Sequence, residues 1–489
     1  MQILKKLLNI NKDKIGFVII PFFLLTLSFY LGLEKRLWLD EIFTLIYTNV
    51  SSFSILVKNI PISGDLNPPF YYLIIFIVRN VFPESIITYR IVSALIALFG
   101  LFYLVFLFKN HFKAKNSFIV ILLLSISWFY SLYLFIEIRS YGLIFLFFVV
   151  FTIFWFKILE NNLIKKNDYL GLGLTVLFLF YTHYFSFVYV FPLLIVLGYK
   201  KNNKEIYFSL LLIFLFSLPL IYILKNQLEV FHGTTWQEIP SLYQIISLPF
   251  TFWGKLFFLV ITILHLVNYH KVKKIYLKIF ADKNLMLFLY IVFFIPIFVF
   301  ILSRFSLMVF VERYFILTFI GLAILIGIIV DGLVFESKHK ALFLVIFICL
   351  GFYYNAKFNY VNKETNEKLD YFLQLDNSGL PVICESPHIF YPLWYYSDKN
   401  YNLVLDWESS NVEGNVKNSV FDYYWNLRAK KIYDLKLVLI WSEFINLHDK
   451  FYIINEKGRM LFENRITDYN DYTITNVGRQ IKFIEKNND

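Results

Sequence analysis

Two adjacent carboxylates interrupt a very apolar stretch of the sequence. Asp40 and Glu41 stand in LWLDEIFTL, residues 37–45, among leucine, tryptophan, isoleucine and phenylalanine. An acid with apolar neighbours and a second carboxylate beside it can be tuned to accept a proton, so the pair is a candidate general base. Charges that merely end a hydrophobic segment in the first loop of a membrane protein are the alternative, which stays open at this point.

Other polar side chains recur at the ends of apolar segments farther along the chain. They are Asp65 and Asn67 before Pro68-Pro69, then Arg90, Glu137, Arg139, His183 and Arg313. An ionisable group at mid-membrane costs roughly 2.5–3.5 kcal/mol, and less at the interface, so such groups usually pair or line a hydrated site. They are therefore candidates for binding a polar substrate, whereas Arg304 and Glu229 are interpreted as simple segment ends.

The elements that position these side chains must be membrane helices. Of the 489 residues, 58% are hydrophobic, 21% aromatic and 17% charged, which is more apolar surface than a soluble core of this length buries. Apolar runs long enough to cross a bilayer, about 17–25 residues, are predicted near 15–33, 88–108, 117–135, 141–158, 168–182, 184–199, 205–224, 250–269, 285–303, 314–331 and 340–356. The chain is thus predicted to be a polytopic α-helical membrane protein with about eleven spans and additional interfacial helices.

The region after the first span is predicted to be a helix that rests on the membrane surface. Its polar stripe consists of Asp40, Thr44, Thr48 and Ser51, and apolar residues fill the remainder of the helix. In this orientation Asp40 points away from the lipid.

Lysines in the short loops indicate the topology. The run 68–82 is short, begins with two prolines and carries Arg79; if it does not cross, the lysine clusters all fall on one side, which the positive-inside rule assigns to the cytoplasm. We therefore predict an outer interfacial helix at 68–82, a cytoplasmic N-terminus and a multi-pass location in the cell inner (plasma) membrane. The net charge of +11 follows from these clusters, so no nucleic-acid partner is predicted.

The sequence becomes more polar after residue 355. Strand-like runs at 380–386, 401–407, 435–441 and 450–455 alternate with a helix-like segment at 421–432. They predict two domains, a transmembrane domain at 1–355 and a soluble α/β domain at 356–489, which an odd number of spans places outside the cytoplasm. The chain has no P-loop or GxGxxG motif, so no nucleotide site of these types is predicted.

Six motifs resemble one family of membrane enzymes. In chain order they are LWLDEIFTL, DLNPPFYYLI, YRIVSALIAL, WFYSLYLFIEIRSYGLIFL, YTHYFSFVYV and VERYFI. Over roughly residues 1–330 they resemble GT-C fold glycosyltransferases, in the branch related to protein O-mannosyltransferases and lipid A aminoarabinose transferases. Two positions depart from this pattern, because Asn67 stands where many relatives have histidine and Ile136 where glutamine is common.

The resemblance implies roles for individual residues. Asp40 would be the catalytic base, with Glu41 and Glu137 as its acidic partners, and the donor phosphate would be bound by arginines. Those arginines are Arg90, Arg139 and Arg313, and the residues assigned to substrate binding are Asp65, Asn67, Tyr141, His183 and Tyr314. No cofactor is predicted; His183, His232 and Glu137 could in principle meet around a divalent metal ion, but they do not form a convincing metal set.

The resemblance also implies a reaction, and its chemistry is independently reasonable. Nucleotide sugars are absent outside the cytoplasm, so the donor would be a sugar on a polyprenyl phosphate, among membrane lipids, and the acceptor would be an extracytoplasmic protein, glycolipid or polysaccharide. Attack on the anomeric carbon with Asp40 as base would invert that centre. A polysaccharide polymerase or ligase with a lipid-linked donor is the alternative, and a flippase for lipid-linked glycans is a further one.

Overall fold

The computed structural model describes most of the chain. The described residues are 16–63, 65–114, 116–126, 129–161, 165–229, 239–305, 309–334, 340–375, 379–398, 401–406, 419–455 and 472–487. By compactness they belong to two units. The first unit comprises residues 1–34, 67–220 and 239–361, and the second comprises 35–66, 221–238 and 362–489.

Helices follow one another through the first three quarters of the chain. In order they are α1 (Gly16–Leu33), α2 (Leu39–Thr48), α3 (Phe53–Asn59), α4 (Phe70–Val81), α5 (Ile86–Asn110), α6 (Ser117–Ile126), α7 (Phe129–Ile136), α8 (Tyr141–Glu160), α9 (Lys166–Thr182), α10 (Ser186–Lys201), α11 (Lys204–Leu228), α12 (Leu242–Trp253), α13 (Lys255–Val267), α14 (Tyr269–Ala281), α15 (Lys283–Phe305), α16 (Ile316–Val334) and α17 (Lys340–Leu373). Short 3-10 helices at Ile60–Ile62 and Glu312–Phe315 extend α3 and precede α16.

Every apolar run that the sequence analysis assigned to a span overlaps at least one of these helices. Among the described residues, five segments are individually long and apolar enough to cross a membrane, namely Ile86–Asn110, Tyr141–Glu160, Lys204–Leu228, Lys283–Phe305 and Glu312–Leu333. A pair of helices bent by 75°, Leu242–Thr251 and Lys255–Val267, makes a sixth candidate. The polytopic helical class is confirmed, and the count of eleven spans stays a prediction.

The predicted interfacial helix at 68–82 forms α4. Its 12 residues rise about 18 Å, well short of the roughly 30 Å hydrocarbon core. The helix begins after Pro68-Pro69 because a proline is tolerated at the start of a helix, where no intrahelical partner for its nitrogen is needed.

Burial separates central from peripheral helices in the first unit. In the most apolar 18-residue stretch of each helix, 67% is buried for α8 and 22% for α11. Most phenylalanines and leucines of α11 therefore face outward. Trp155 of α8 is completely buried, and its indole Nε1 donates to the carbonyl oxygen of Leu193 in α10 over 2.9 Å. Satisfying the indole N–H lets this large side chain occupy the apolar interior without an unpaired donor.

The C-terminal part of the second unit is an α/β sheet domain. Its elements are β1 (Val382–Cys384), α18 (Pro387–Tyr396), β2 (Tyr401–Leu405), α19 (Ser419–Tyr433), β3 (Val438–Ile440), α20 (Trp441–Ile445), β4 (Lys450–Ile454), β5 (Tyr472–Gly478) and β6 (Ile481–Lys486). The strand order is β3-β2-β1-β4-β6-β5. The adjacent pairs β3–β2, β2–β1 and β1–β4 are parallel. Strand β6 is antiparallel to both of its neighbours, β4 and β5. The soluble α/β domain is therefore confirmed, with the four predicted strands at β1 to β4.

Helix α17 carries the chain from apolar to polar sequence without a break. It runs from Lys340 to Leu373, so the predicted boundary between residues 355 and 356 lies inside it. The sheet domain also shares its compact unit with residues 35–66 of the first loop, a grouping that the linear division at this boundary did not include.

Candidate active site

Asp40 has a different environment from every other residue of α2. The nine remaining residues of this ten-residue helix are buried, and Asp40 alone is half-exposed. The acid also lies in the first turn of the helix, where the positive end of the helix dipole stabilises a carboxylate. Asp40 is therefore the acid of the pair that a dissolved or lipid-borne substrate can reach.

Glu41 is instead completely buried and held by two neighbours. Its Oε2 accepts a hydrogen bond from the backbone N–H of Trp38 over 3.3 Å, which satisfies a donor that the first turn of a helix leaves without an intrahelical partner. The same oxygen lies 3.8 Å from Nζ of Lys35, which is itself only 8% exposed. Glu41 thus fixes the start of α2.

The polar stripe predicted for this helix is wrong at Thr44 and Thr48. Both threonines are buried, and their hydroxyls donate to the carbonyl oxygens of Asp40 and Thr44, one turn earlier. Because a threonine can satisfy its hydroxyl on its own helix, its burial costs little. The helix therefore packs on both faces instead of resting with one face toward water.

Aromatic side chains connect α2 to the sheet domain within the second unit. The ring centroid of Phe43 lies 4.0 Å from that of Trp425 and 4.5 Å from that of Tyr391. Tyr47 stacks on Tyr433 with the centroids 5.0 Å apart. These contacts fix the helix that carries Asp40 against α18 and α19.

Asp65 lies near the same aromatic group. Burial raises the pKa of Tyr47 well above its usual value, and the negative charge of Asp65 raises it further. The same two causes raise the pKa of Tyr433. Both phenols are therefore neutral at physiological pH and can serve as hydrogen-bonding groups beside the Asp65 carboxylate.

A cavity of about 570 Å³ opens beside these tyrosines. Its walls come from the end of α2, from α3 and α18, and from residues 432–438. Aromatic rings of Tyr391, Trp394 and Tyr433 line it together with aliphatic side chains and a smaller number of polar groups such as Asn49. Such a lining suits a ligand with both apolar and hydroxyl-bearing surfaces.

In the first unit, Glu137 and Arg139 occupy the bend between α7 and α8. Both are buried, and the backbone N–H of Arg139 donates to the carbonyl oxygen of Glu137 over 2.7 Å. Tyr141, the first residue of α8, is buried as well. Three of the residues assigned from one motif therefore lie in or beside one tight turn.

His183 and Tyr314 come together although 130 residues separate them in the sequence. Their ring centroids are 4.9 Å apart in an edge-to-face arrangement, and the guanidinium carbon of Arg313 lies 5.9 Å from the Tyr314 ring. Nδ1 of His183 accepts a hydrogen bond from the backbone N–H of Phe185. In the neutral imidazole the proton then resides on Nε2, which leaves Nε2 as a donor.

Arg90 is buried completely, and part of its guanidinium serves the backbone. Its Nη1 donates to the carbonyl oxygens of Gly32 and Leu33 over 3.1 and 3.2 Å. These are the last carbonyls of α1, which have no intrahelical donor. The contacts support a structural function for Arg90, and its assignment to a donor phosphate stays a prediction that depends on its other N–H groups.

Two further residues of the sequence analysis need only be located. Asn67 lies in the first unit just before α4, and it is half-buried. His232 lies outside the described residues, so the metal set that included it is not described. Lys35, Tyr47 and Tyr433 were not singled out from the sequence, because a lysine or tyrosine next to an apolar run has no distinctive spacing.

Apolar helices with ionisable groups at their ends, followed along the chain by a small sheet domain, define a polytopic helical membrane fold. The solved structures that resemble the chain include ArnT from Cupriavidus metallidurans, a lipid A aminoarabinose transferase, in the apo state. The TM-score is 0.58 at 10% identity, over 97% of this chain and 98% of that chain. The resemblance stated from the motifs is thereby confirmed for the fold.

A second structure of the same protein contains a lipid. It is ArnT from Cupriavidus metallidurans bound to undecaprenyl phosphate, with a TM-score of 0.57 at 10% identity over 96% of this chain and 97% of that chain. At this identity the likeness shows the fold alone. No family model matches the sequence, and no curated protein matches it.

Proposed function

We propose that this chain is a membrane glycosyltransferase that moves a sugar from a polyprenyl-phosphate donor to an extracytoplasmic acceptor. The observation that carries the proposal is the likeness to ArnT over nearly the whole of both chains, sheet domain included, with undecaprenyl phosphate bound in one of the ArnT structures. The half-exposed carboxylate of Asp40 at the start of an otherwise buried helix adds the required base.

The proposed reaction is one inverting displacement. Asp40 takes the proton of an acceptor hydroxyl or amine while that oxygen or nitrogen forms a bond to the anomeric carbon of the sugar. The bond from this carbon to the phosphate oxygen breaks, and its electron pair leaves with the lipid phosphate. General-base assistance is worth roughly 10²–10⁴ in rate, so positioning and charge stabilisation of the phosphate supply the remainder.

The phosphate is the part of the donor that arginine recognises best, because a planar guanidinium donates two parallel hydrogen bonds to its oxygens. Of the three arginines assigned to it, Arg139 and Arg313 are the stronger candidates. Arg90 already donates to the end of α1. We assign substrate contacts to Asp65, Asn67, Tyr141, His183 and Tyr314, with Glu137 as a second acid that orients Arg139.

A transfer assay with purified full-length protein tests this proposal. The protein is incubated in lipid nanodiscs with polyprenyl-phosphate hexose or pentose donors and with a cell-envelope acceptor extract, and in parallel with nucleotide sugars. We expect transfer from a lipid donor and none from nucleotide sugars. Transfer from a nucleotide sugar in the absence of polyprenyl phosphate would overturn the donor assignment.

The same assay separates the alternative and tests the arginines. A transferase adds one sugar per acceptor, whereas a polymerase adds a ladder of sugars that gel electrophoresis resolves. Arg139→Lys keeps the charge but loses the planar fork, so we expect a higher KM for the donor. Arg90→Lys should instead lower the thermal unfolding midpoint, since it weakens the contacts to Gly32 and Leu33.

A further inference from the structure

Three ionisable side chains meet where three helices of the first unit end or begin. His111 directly follows α5, Glu160 is the last residue of α8, and Asp282 directly precedes α15. One nitrogen or oxygen atom from each lies within 4.8 Å of the other two, and His111 Nδ1 is 3.0 Å from Glu160 Oε2. Glu160 is separated from Arg139, just before α8, by the full length of this 20-residue helix, about 30 Å.

The cluster is more than an ion pair. It contains an imidazole and two carboxylates, so three side chains of the kinds that ligate metal ions meet at one point. Lys113 contributes some positive potential, but its ammonium donates to the carbonyl oxygen of Asn110 over 2.6 Å. Two carboxylates side by side favour a bound cation.

The three groups are also held in place by their surroundings. The His111 ring stacks on Phe156 at a centroid distance of 4.2 Å and 30° between the planes. Oδ1 of Asp282 accepts hydrogen bonds from the backbone N–H groups of Asn284 and Leu285 over 3.1 and 3.0 Å. This capping orients the carboxylate and leaves Oδ2 for another ligand.

We infer that His111, Glu160 and Asp282 form a binding site for a divalent transition-metal ion, with zinc as the best match. One imidazole nitrogen and two carboxylate oxygens are typical zinc ligands, and a water completes four-coordination. Ligand atoms in a tetrahedral zinc site are about 3.4 Å apart. The His111–Glu160 distance of 3.0 Å is close to this value, and no ligand atoms of the cluster are more than 4.8 Å apart. Mg²⁺ and Ca²⁺ prefer oxygen ligands throughout, so the imidazole selects against them.

The ion would join the ends of α5, α8 and α15, and its role would be structural. It stands at the opposite end of α8 from Arg139 and Tyr141, so it takes no part in the proposed transfer reaction. A ligand that binds the folded protein alone stabilises it in proportion to the logarithm of its concentration.

Metal analysis of the full-length protein tests this inference. The purified protein is stripped with a chelator, incubated with ZnSO₄, MnCl₂ or MgCl₂ and dialysed, and the bound metal is measured by mass spectrometry together with the thermal unfolding midpoint. We expect one zinc per chain and a higher unfolding midpoint with zinc, a smaller effect of manganese and none of magnesium.

Matched variants assign the metal to this cluster. Asp282→Asn keeps the capping oxygen but removes the charge, and Glu160→Gln changes a side chain that is 41% exposed, so both should fold and lose the zinc. Asp168→Asn, which removes the carboxylate paired with Lys157 in the same unit, should keep it. Absence of zinc from the wild-type protein, or site variants that bind as much zinc as the wild-type protein, would overturn the site.

Discussion

Asp40 and Glu41 are neighbours in the sequence, but their side chains have opposite environments. Asp40 is half-exposed, whereas Glu41 is buried against Lys35 and the backbone of Trp38. Adjacent residues of a helix point about 100° apart, so a pair at this position naturally divides into one inward and one outward acid. We assign the role of catalytic base to the outward acid, Asp40, and the stabilisation of the start of α2 to the inward acid, Glu41.

Replacing Asp40 by asparagine tests the first assignment. Asparagine keeps the shape and hydrogen-bonding capacity of the side chain but has no basicity, so we expect transfer to slow by about 10²-fold or more, with unchanged expression and thermal unfolding. Initial rates with saturating lipid donor measure the effect. Asp398→Asn, an exposed aspartate of the same unit, is the matched control, and an equal loss in both proteins would contradict a special role for Asp40.

Replacing Glu41 by glutamine tests the second assignment. Glutamine can still accept the Trp38 N–H, but Lys35, which is 8% exposed, loses its counter-charge. Leaving one member of a buried pair alone costs about 3–5 kcal/mol, so the unfolding midpoint should fall. The double change Lys35→Met with Glu41→Gln should recover most of the loss, because no unpaired charge is then buried. No recovery would mean that Glu41 acts through other contacts.

The acid pair was predictable from the sequence, but which of the two acids is exposed and which is buried was not. LWLDEIFTL indicates that carboxylates lie beside apolar residues, and nothing in it distinguishes a helix side that faces water from one that faces protein. Nor did it indicate a cationic partner for Glu41, which the structure provides in Lys35, six residues earlier. The structural contact of Arg90 was not predictable from the sequence either, because it joins residues 58 positions apart, Arg90 and Gly32 at the end of α1.

At the scale of elements, α2 is the one whose packing matters most for the site. Phe43 is completely buried between Tyr391 and Trp425, so it fixes the helix that carries Asp40 to the sheet domain. Helix α3, its neighbour in the sequence, has Phe53 55% exposed. The two phenylalanines provide a matched pair for the next prediction.

Phe43→Ala should destabilise the second unit by about 3–5 kcal/mol, the usual cost of removing a buried phenylalanine side chain. Transfer activity should fall with it because Asp40 is no longer held. Phe53→Ala should leave both properties nearly unchanged. Thermal unfolding and transfer rates of both variants measure this, and similar effects at the two positions would argue against the aromatic contacts as the fixing element.

The elements themselves were largely predictable, and the failures have a physical cause. Long apolar runs and strands of buried residues such as Val382–Cys384 have strong patterns. The edge strand β5, with the sequence YTITNVG, was missed because its first four residues alternate between half-buried and exposed and the remainder are exposed. Helix α2 was placed on a surface because its threonines look polar. Thr44 and Thr48 satisfy their hydroxyls within the helix, and a polar stripe of this kind is no guide to exposure.

At the scale of the whole molecule, the orientation in the membrane is the main open prediction. We propose that the N-terminus is cytoplasmic and the sheet domain extracytoplasmic, from the one-sidedness of the lysine clusters. Cysteines introduced at the exposed residues His270 and Asp398 test this in intact cells with a membrane-impermeant thiol reagent. The background needs Cys349→Ala, whereas Cys384 is buried, and burial raises the pKa of its thiol and suppresses its reactivity.

We expect labelling at position 398 and protection at position 270 until the membrane is opened. Both sites should label after detergent is added, which controls for local accessibility. Labelling at 270 with protection at 398 in intact cells would invert the topology. It would also place Asp40 on the side where nucleotide sugars are available, so the donor proposal would have to change with it.

The membership of the two compact units could not have been derived from the sequence. Composition divides the chain once, near residue 356, because hydropathy is averaged along it. The structure groups residues 35–66 with 362–489, since Phe43 and Tyr47 contact side chains of α18 and α19. Such pairings depend on three-dimensional complementarity between segments that have no local pattern in common.

The packing of Phe43 against Tyr391 has a consequence for how the protein is made. About 350 residues separate the two rings along the chain, and at typical synthesis rates of 5–20 residues per second the second ring emerges roughly 20–70 seconds after the first. During that interval α2 exists without the surface that buries it. Asp40, the proposed catalytic acid, is therefore held in position only after most of the chain has been translated. A chain whose synthesis ends before α18 lacks the surface that holds the helix carrying Asp40.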